Sequence, residues 1–404
     1  MFVSLERSVP NDRTWTATLP QVKILHVIQS LSPSTGGPPE ALRHLTRAYG
    51  DAGVEVEIAT QDDPDAPYLA NFSMPVHATG SKKSTYAYSR ELLDWLKQNV
   101  GRFDGVVING VWTFHSLAAA IAARGRVPYV VFTHGMLDPW FKRKYPAKHI
   151  KKYVYWPAQH WVLHNAERVM FTSTLERDLA PQSFWPSHWK SFVVPYGTGE
   201  PPADIAAQAD AWYARVPGLR GRRYLLFLSR IHEKKGCDLL IAAFARAAAT
   251  YPEVDLVIAG PDQVGLQAKL QKQAEELGIA GRVHWPGLLT GDAKWGAVRN
   301  CEAFILPSHQ ENFGVVVAES LACGRPVLIS NQVNIWPEIE QEKVGLVAPD
   351  TLAGTEELIS RWLALPEADR NGMAERATEV FRRRYSMRSC AAAINGLFES
   401  FTQK

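Results

Sequence analysis

Short apolar runs alternate with longer helix-like stretches along most of this chain. Lys23 to Gln29 has the character of a buried strand. A polar loop, Ser30 to Pro39, follows it, and then a helix-like stretch from Glu40 to Ala52. The same alternation returns at Val54 to Thr60, Gly105 to Asn109, Tyr129 to Thr133, Val169 to Thr172 and Ser191 to Val194. It lapses from Pro195 to Pro217, where Pro, Gly and Ala dominate. It restarts at Tyr224 to Ser229, Asp255 to Ala259, Arg282 to Trp285, Ala303 to Leu306, Pro326 to Ser330 and Gly345 to Ala348. Strand and helix in strict alternation predict α/β architecture with parallel sheets. The lapse predicts a junction between two Rossmann-like domains. The expected layout is a flexible extension over 1–20, a first domain over 21–195, a linker over 196–217 and a second domain over 218–385. A terminal helix over 386–404 could pack on either domain, including back on the first; the sequence leaves this open.

A chain of 404 residues is longer than one core usually supports, in keeping with two domains. The net charge is only +3, without the large basic excess of a nucleic-acid binder, so nucleic acid is not an expected partner. Cys237, Cys301, Cys323 and Cys390 lie far apart and form no Cys-x-x-Cys pair. This argues against zinc and against a disulfide framework, and for thiols in a reducing cytoplasm. Asp63-x-Asp65 has carboxylates that suit Mg²⁺, but Asp-Pro clusters are turn formers and this one simply follows a strand. No apolar run reaches the ~18 residues of a membrane-spanning helix.

Four segments carry candidate chemistry. The first loop holds Gly36-Gly37, which would let backbone approach a ligand closely; a plain βα turn reads from the same residues. His134-Gly135 stands at the carboxyl end of a predicted strand, the edge at which open α/β sheets bind ligands. Arg230 and Lys235 flank the entry to the first helix of the second domain, and two cations at the mouth of a sheet suit a diphosphate. The fourth segment runs from Pro307 to Glu319. There a strand, a turn at Phe313-Gly314 and a helix start make an anion site from free N–H groups and the helix dipole. Two carboxylates, Glu311 and Glu319, sit on that site. They are unfavourable beside a phosphate unless they bind hydroxyls or charge elsewhere on the same ligand, as in a nucleotide sugar.

A further stretch, Trp140 to Trp161, is basic and aromatic with no acid in it. Lys142, Arg143, Lys144, Lys148, Lys151 and Lys152 are interleaved with Phe141, Tyr145, Tyr153, Tyr155 and Trp156. Such a segment suits an anionic bilayer or a lipid-diphosphate acceptor, and equally a helix with an apolar core face and a solvated basic face.

Together these residues resemble the retaining glycosyltransferases of family 4, which have the GT-B fold. The resemblance runs over roughly residues 21 to 390. Its most specific element is the Glu-x7-Glu pair Glu311 and Glu319 within Pro-Ser-x-x-Glu-x-Phe-Gly, continued by Ala322-Cys323-Gly324-Arg325-Pro326-Val327. Arg230 and Lys235-Gly236 match the family's phosphate clamp, Gly36-Gly37 its glycine loop and His134-Gly135 its active-site histidine. Two segments depart from the usual pattern. Pro195-Tyr196-Gly197-Thr198 replaces Pro-Asn-Gly, and Asn334-Ile335-Trp336-Pro337-Glu338 lacks the Gly-Gly turn before Pro-Glu.

The resemblance implies a UDP- or GDP-sugar donor held by the second domain. Its diphosphate would meet Arg230, Lys235, Gly37 and the amides near Phe313 and Gly314. Glu319 would bind the ribose, Glu311 and His134 would face the reacting sugar, and Val283, Gly287 and Leu288 would lie beside the base. Gly36, Lys142, Arg143, Lys144, Lys151 and Lys152 would face a glycan or lipid-linked acceptor, or a membrane surface. No metal or cofactor is implied, because the cations take the role a metal has in other transferases. Retention without an obvious nucleophile fits a front-face route. Two other readings share these residues: a GT-B sugar-nucleotide epimerase and a catalytically silent nucleotide-sugar binding module.

Overall fold

The structure, a computed structural model, describes residues 22–35, 37–80 and 84–402. The expected extension over 1–20 and the candidate Gly36 lie outside the described residues. The first sheet has seven strands: β1 (Lys23–Ile28), β2 (Glu55–Thr60), β3 (Val76–Ala78), β4 (Gly105–Asn109), β5 (Tyr129–Phe132), β6 (Arg168–Phe171) and β7 (Ser191–Val193). The second has six: β8 (Arg223–Leu228), β9 (Val254–Ala259), β10 (Val283–Gly287), β11 (Ala303–Leu306), β12 (Val327–Ser330) and β13 (Gly345–Ala348). Every pairing is parallel. The orders are β3-β2-β1-β4-β5-β6-β7 and β10-β9-β8-β11-β12-β13. Each is a doubly wound sheet whose strand order reverses once, between β1 and β4 in the first and between β8 and β11 in the second. Loops leaving the carboxyl ends on either side of such a reversal diverge and leave a crevice.

Parallel strands covered on both faces must be apolar throughout, and the central ones are. All of β4, β5, β9, β11 and β12 is buried. One face of the first sheet is covered by the helices Arg90–Asn99, Phe114–Ala123 and Trp156–His164. Its other face takes the helix Gly37–Asp51 and the terminal helix Met387–Thr402, which returns from the second domain. The fit of that return is close: a Cβ on Gly105 of β4 would run into the Phe398 ring. The chain crosses between domains twice, and the two crossings pair. Thr198 N–H donates to Tyr385 O at 3.0 Å, and Met387 N–H donates to Thr198 O at 3.1 Å.

Two expectations about local structure are corrected. The first helix begins at Gly37 rather than Glu40. Pro38 and Pro39 fall in its first turn, where an N–H has no intrahelical partner and proline costs little. The linker over 196–217 is not irregular throughout, since it contains the helix Ile205–Arg215, capped by Asp204 accepting from Ala207 N–H at 3.0 Å. That helix buries Gln208 and Trp212 against Gly291–Asn300, where Gly296 lets the two backbones meet. At the other candidate turn, Asp63 Oδ1 accepts the Asp65 N–H at 3.0 Å, so this carboxylate closes its own turn. The four cysteines are free, and Cys237, Cys301 and Cys390 are buried.

Candidate active site

The loops after β8 and β11 lie side by side at the reversal of the second sheet. His309 N–H donates to Lys234 O at 2.9 Å, joining them. Gly236 has φ +67°, and a Cβ there would strike the Pro307 carbonyl oxygen, so only glycine lets the β8 loop nest on the β11 loop. This nesting sets Lys235, buried to 5% exposure, against Glu311, and the ammonium and carboxylate form an ion pair. Glu311 is pinned from behind: its N–H donates to Gln332 O and its carbonyl accepts from Asn334 N–H, both at 2.9 Å. The segment that departs from the family pattern, beginning at Asn334, is therefore the backing of this carboxylate.

Gly314, at φ +74°, caps the helix Val315–Ala322. The first N–H groups of that helix have no intrahelical partner and carry the positive end of its dipole. Phe313 is buried edge-on against Tyr196 at 5.0 Å between ring centroids, so its side chain is structural and only its backbone is available to a ligand. Glu319, one turn into the same helix, is 5% exposed. Its Oε1 accepts from Lys294 Nζ at 2.6 Å, while its Oε2 is buried with no protein partner. Arg230 stands exposed at the end of β8 and donates to Gln263 Oε1 at 3.3 Å. Among the base-side candidates, Gly287 (φ +74°) and the exposed Leu288 lie at the carboxyl end of β10, in the loop before the Lys294 helix. Val283 is corrected: it is the first residue of β10 and buried, at the strand end away from the crevice.

The first domain contributes His134, with φ +48°, stacked on Phe132 at 4.2 Å. Its Nε2–H donates to Asn109 Oδ1 at 3.2 Å, and Asn109 Nδ2 in turn lies 3.2 Å from Nδ1 of the buried His26. This leaves His134 Nδ1 as a buried acceptor with no protein partner. Burial pushes the imidazoles of His134 and His26 down to about 3, so both are neutral at ordinary pH. Glu176 holds the His134 turn in place. Its Oε1 accepts from Thr133 Oγ1 and Gly135 N–H, both at 2.8 Å, and its Oε2 accepts from Thr172 N–H at 2.8 Å and Thr172 Oγ1 at 2.7 Å. Gly37 opens the first helix with no atom within 4 Å of where its Cβ would be, so the backbone faces open space there.

The two halves meet through residues that alternate with the candidates. Gln310 Nε2 donates to Asp138 Oδ2 at 2.6 Å, Asn312 Nδ2 donates to Thr172 Oγ1 at 3.2 Å, and Thr174 Oγ1 donates to Glu338 Oε1 at 2.8 Å. A Cβ on Gly135 would come within 2.6 Å of Asn312 Cγ, so this glycine admits the approach of the opposite domain. Lys234 places its ammonium 4.8 Å over the Trp140 ring. Lys142, Arg143, Lys144 and Lys151 are exposed on the short helices Trp140–Lys144 and Pro146–Lys152. Lys152 is set apart from them. It lies 4.4 Å over the Trp112 ring, and burial lowers its ammonium below the usual lysine range.

The sequence reading missed Asn109, Asp138, Glu176, Lys294, Gln310, Asn312 and Glu338. Asn109 ends β4 as His134 follows β5, so the carboxyl-edge rule could have found it. Ser173-x-x-Glu176 is a capping-box pattern, with Ser173 Oγ accepting the Glu176 N–H at 3.1 Å.

Two sequence-family comparisons coincide with these halves. Residues 214–380 match the family described as glycosyl transferases group 1, and residues 36–197 match a glycosyl transferase 4-like domain. The chain belongs to the group 1 glycosyltransferases. A GDP-mannose:cellobiosyl-diphosphopolyprenol alpha-mannosyltransferase of Xanthomonas oryzae is 24% identical over 77% of this chain and 79% of its own length. A D-inositol 3-phosphate glycosyltransferase of Mycobacteroides abscessus is 33% identical over 36% of this chain, a match spanning a third (33%) of that protein. Among solved structures, HepE of Anabaena in complex with UDP aligns with TM-score 0.73 at 21% identity, covering 94% of this chain and all (100%) of that one. Sucrose-phosphate synthase of Thermosynechococcus elongatus aligns with TM-score 0.69 at 19% identity, covering 95% and 100%. These solved structures share the fold seen here, GT-B, two parallel-sheet domains facing a cleft.

Proposed function

We propose that this chain transfers a hexosyl unit from a UDP- or GDP-sugar to a glycan or lipid-linked acceptor, with retention at the anomeric carbon and without a metal ion. The observation that carries this reading is the unmet polar capacity converging on the cleft. His134 Nδ1, Ser308 Oγ, Gln310 Oε1 and Glu319 Oε2 are all buried without a partner, around the free N-terminus of the helix Val315–Ala322. Buried polar atoms are normally satisfied, so a group of them at two sheet reversals suits a ligand rich in hydroxyls and phosphate oxygens.

In this reading the diphosphate takes Lys235, Arg230 and the helix N-terminus, with backbone near Gly37 closing from the other domain. Glu319 Oε2 accepts from a ribose hydroxyl. His134, neutral, accepts from a sugar hydroxyl through Nδ1 while Asn109 holds its other nitrogen. As the bond from C1 to the phosphate oxygen breaks, positive charge develops at C1 and negative charge on the phosphate. Glu311 faces the first charge and the cations face the second. The acceptor oxygen then bonds C1 on the face just vacated, and its proton passes to the departing phosphate oxygen. Closure of the two domains excludes water that would otherwise hydrolyse the donor.

The Xanthomonas oryzae relative is named as using GDP-mannose and a diphosphopolyprenol-linked acceptor, and the Anabaena structure holds UDP. Both support a nucleoside-diphosphate sugar, and the first supports a lipid-linked acceptor in polysaccharide assembly. We therefore place the enzyme in the cytoplasm, peripheral to a membrane. A thermal-shift screen of UDP- and GDP-sugars identifies the donor, because a ligand that binds only the folded state stabilises it. Transfer is then followed with EDTA present, and the anomeric configuration of the product is read by NMR. Epimer formed from the donor alone, inversion at C1 or abolition of transfer by EDTA would each overturn this reading.

A further inference from the structure

Thirteen large apolar side chains are exposed among the described residues, and eight of them gather on one face of the first domain. Ile150 (67% exposed) and Val154 (79%) project from Pro146–Lys152 and the turn after it, beside Tyr145 and Tyr153. Trp185 (77%) belongs to the neighbouring loop, whose Phe184 packs on His149, Tyr153 and Trp156. Tyr155 continues the patch by stacking on Tyr86 at 5.1 Å, next to Tyr88 across Phe114. A scatter of single exposed apolar residues is ordinary; a gathered patch marks a surface that meets something.

The charge around the patch says what it meets. Lys142, Arg143, Lys144, Lys148 and Lys151 are exposed, and none of them is in an ion pair among the described residues. No acidic residue occurs from Pro139 to Ala166. A symmetric contact with a second copy would bring these cations against themselves. An anionic lipid surface would neutralise all five, while the aromatic and aliphatic tips enter the headgroup layer. The face also runs to the cleft. Phe141 and Trp140 begin the same basic helix, and Lys234, next to Lys235, lies over both rings at 5.7 and 4.8 Å.

We infer that this face docks on an anionic bilayer, with the acceptor side of the cleft opening toward the lipid. The inference rests on the lipid-linked acceptor reading above, and it names the surface through which such an acceptor is met. No helix among the described residues is long and apolar enough to span a membrane, so docking here is interfacial.

The test is flotation of the full chain with phosphatidylcholine vesicles, with and without phosphatidylglycerol. Binding to the anionic vesicles is expected, and it should weaken as salt is raised. The double variant Lys144→Glu/Lys148→Glu should lower partitioning by well over ten-fold, since each cation is worth about five-fold and here the charge is reversed. Ile150→Ser/Val154→Ser should lower it by at least about ten-fold at unchanged charge. All four positions are exposed, so melting temperatures close to that of the parent chain are expected for both variants. Equal binding by the parent and both variants, or no binding to anionic vesicles at low salt, would overturn the inference. So would a dimer in sedimentation that Ile150→Ser/Val154→Ser dissolves. Flotation uses neither donor nor acceptor, so it can fail while sugar transfer stands, and transfer to a soluble acceptor can fail while flotation succeeds.

Discussion

Lys235 is held by Glu311, yet the proposed chemistry needs Lys235 on the diphosphate and Glu311 on the sugar. Glu311→Gln separates these roles at nearly constant shape. The lysine side chain is 7% exposed and the glutamate 23%. Breaking a fully buried pair costs about 3–5 kcal/mol, and a charge-assisted hydrogen bond is worth about 1.5–3. With the carboxylate nearly a quarter exposed, we expect a loss of about 2 kcal/mol, seen as a fall of a few degrees in Tm. Nucleoside diphosphate should respond in the opposite direction. The variant removes both a competitor for Lys235 and a negative charge beside the phosphates, so Kd should tighten by up to about ten-fold, equivalent to 1.4 kcal/mol. Transfer should fall by about 10²–10³-fold, because the charge opposite the developing cation is lost. Calorimetric titration of the nucleoside diphosphate and a transfer assay on the same preparation read both effects. A variant that binds nucleotide ten-fold more weakly, or that transfers at the parent rate, would refute the division of labour between these two residues.

Lys235→Ala should weaken nucleoside diphosphate by roughly 10–150-fold and lower transfer with it, since a charge-assisted contact of about 1.5–3 kcal/mol is removed; unchanged Kd by calorimetry would remove Lys235 from the clamp. Asn312→Ala deletes the cross-cleft hydrogen bonds to Thr172 Oγ1 and Glu176 Oε2, together with a long one (3.4 Å) accepted from Asn334 on its own domain, and leaves Arg230, Lys235 and Glu319 in place. It should leave nucleotide Kd within about three-fold but raise the ratio of donor hydrolysis to transfer, as water reaches the cleft; an unchanged ratio by product chromatography counts against closure through this residue. His26, His115 and His134 are held by burial at about 3, about 4 and about 3. Their folded values lie below the ~6.5 of an unfolded histidine, so the unfolded chain binds more protons as the pH falls, and stability should rise with pH between about 4 and 6.5. Each histidine adds up to about 1.4 kcal/mol per pH unit in that window; a denaturation midpoint flat from pH 4.5 to 6.5 would mean these rings are hydrated.

What the sequence disclosed of the fold follows from burial. Strands such as Gly105–Asn109 and Ala303–Leu306 are covered on both faces and read as unbroken apolar runs. The strand Val76–Ala78 was missed for the opposite reason. It is three half-buried residues at the edge of the sheet, pairing with β2 alone, and carries too little apolar signal to stand out from a loop. The helix Ile205–Arg215 was hidden by the Pro, Gly and Ala around it, although its Asp204 cap is a local signal. Composition describes a neighbourhood, whereas capping and burial are properties of single positions.

The site shows the same division at finer grain. The residues proposed to meet a phosphate or a hydroxyl were legible because their chemistry is uncommon at a strand end: two cations, two carboxylates, one histidine. The residues between them were not. Glu311 pairs through an isolated parallel bridge with Val333, so its stretch of chain is extended and neighbouring side chains point to opposite sides. Glu311 therefore turns to Lys235, while Gln310 and Asn312 turn to Asp138 and to Thr172 on the first domain. An amide reads as a bland loop residue until the surface opposite is known, and that surface exists only once the terminal helix and the linker have set the two sheets against each other. The donor side of this segment is written in its own residues. Its closing side is written in where the other domain comes to rest.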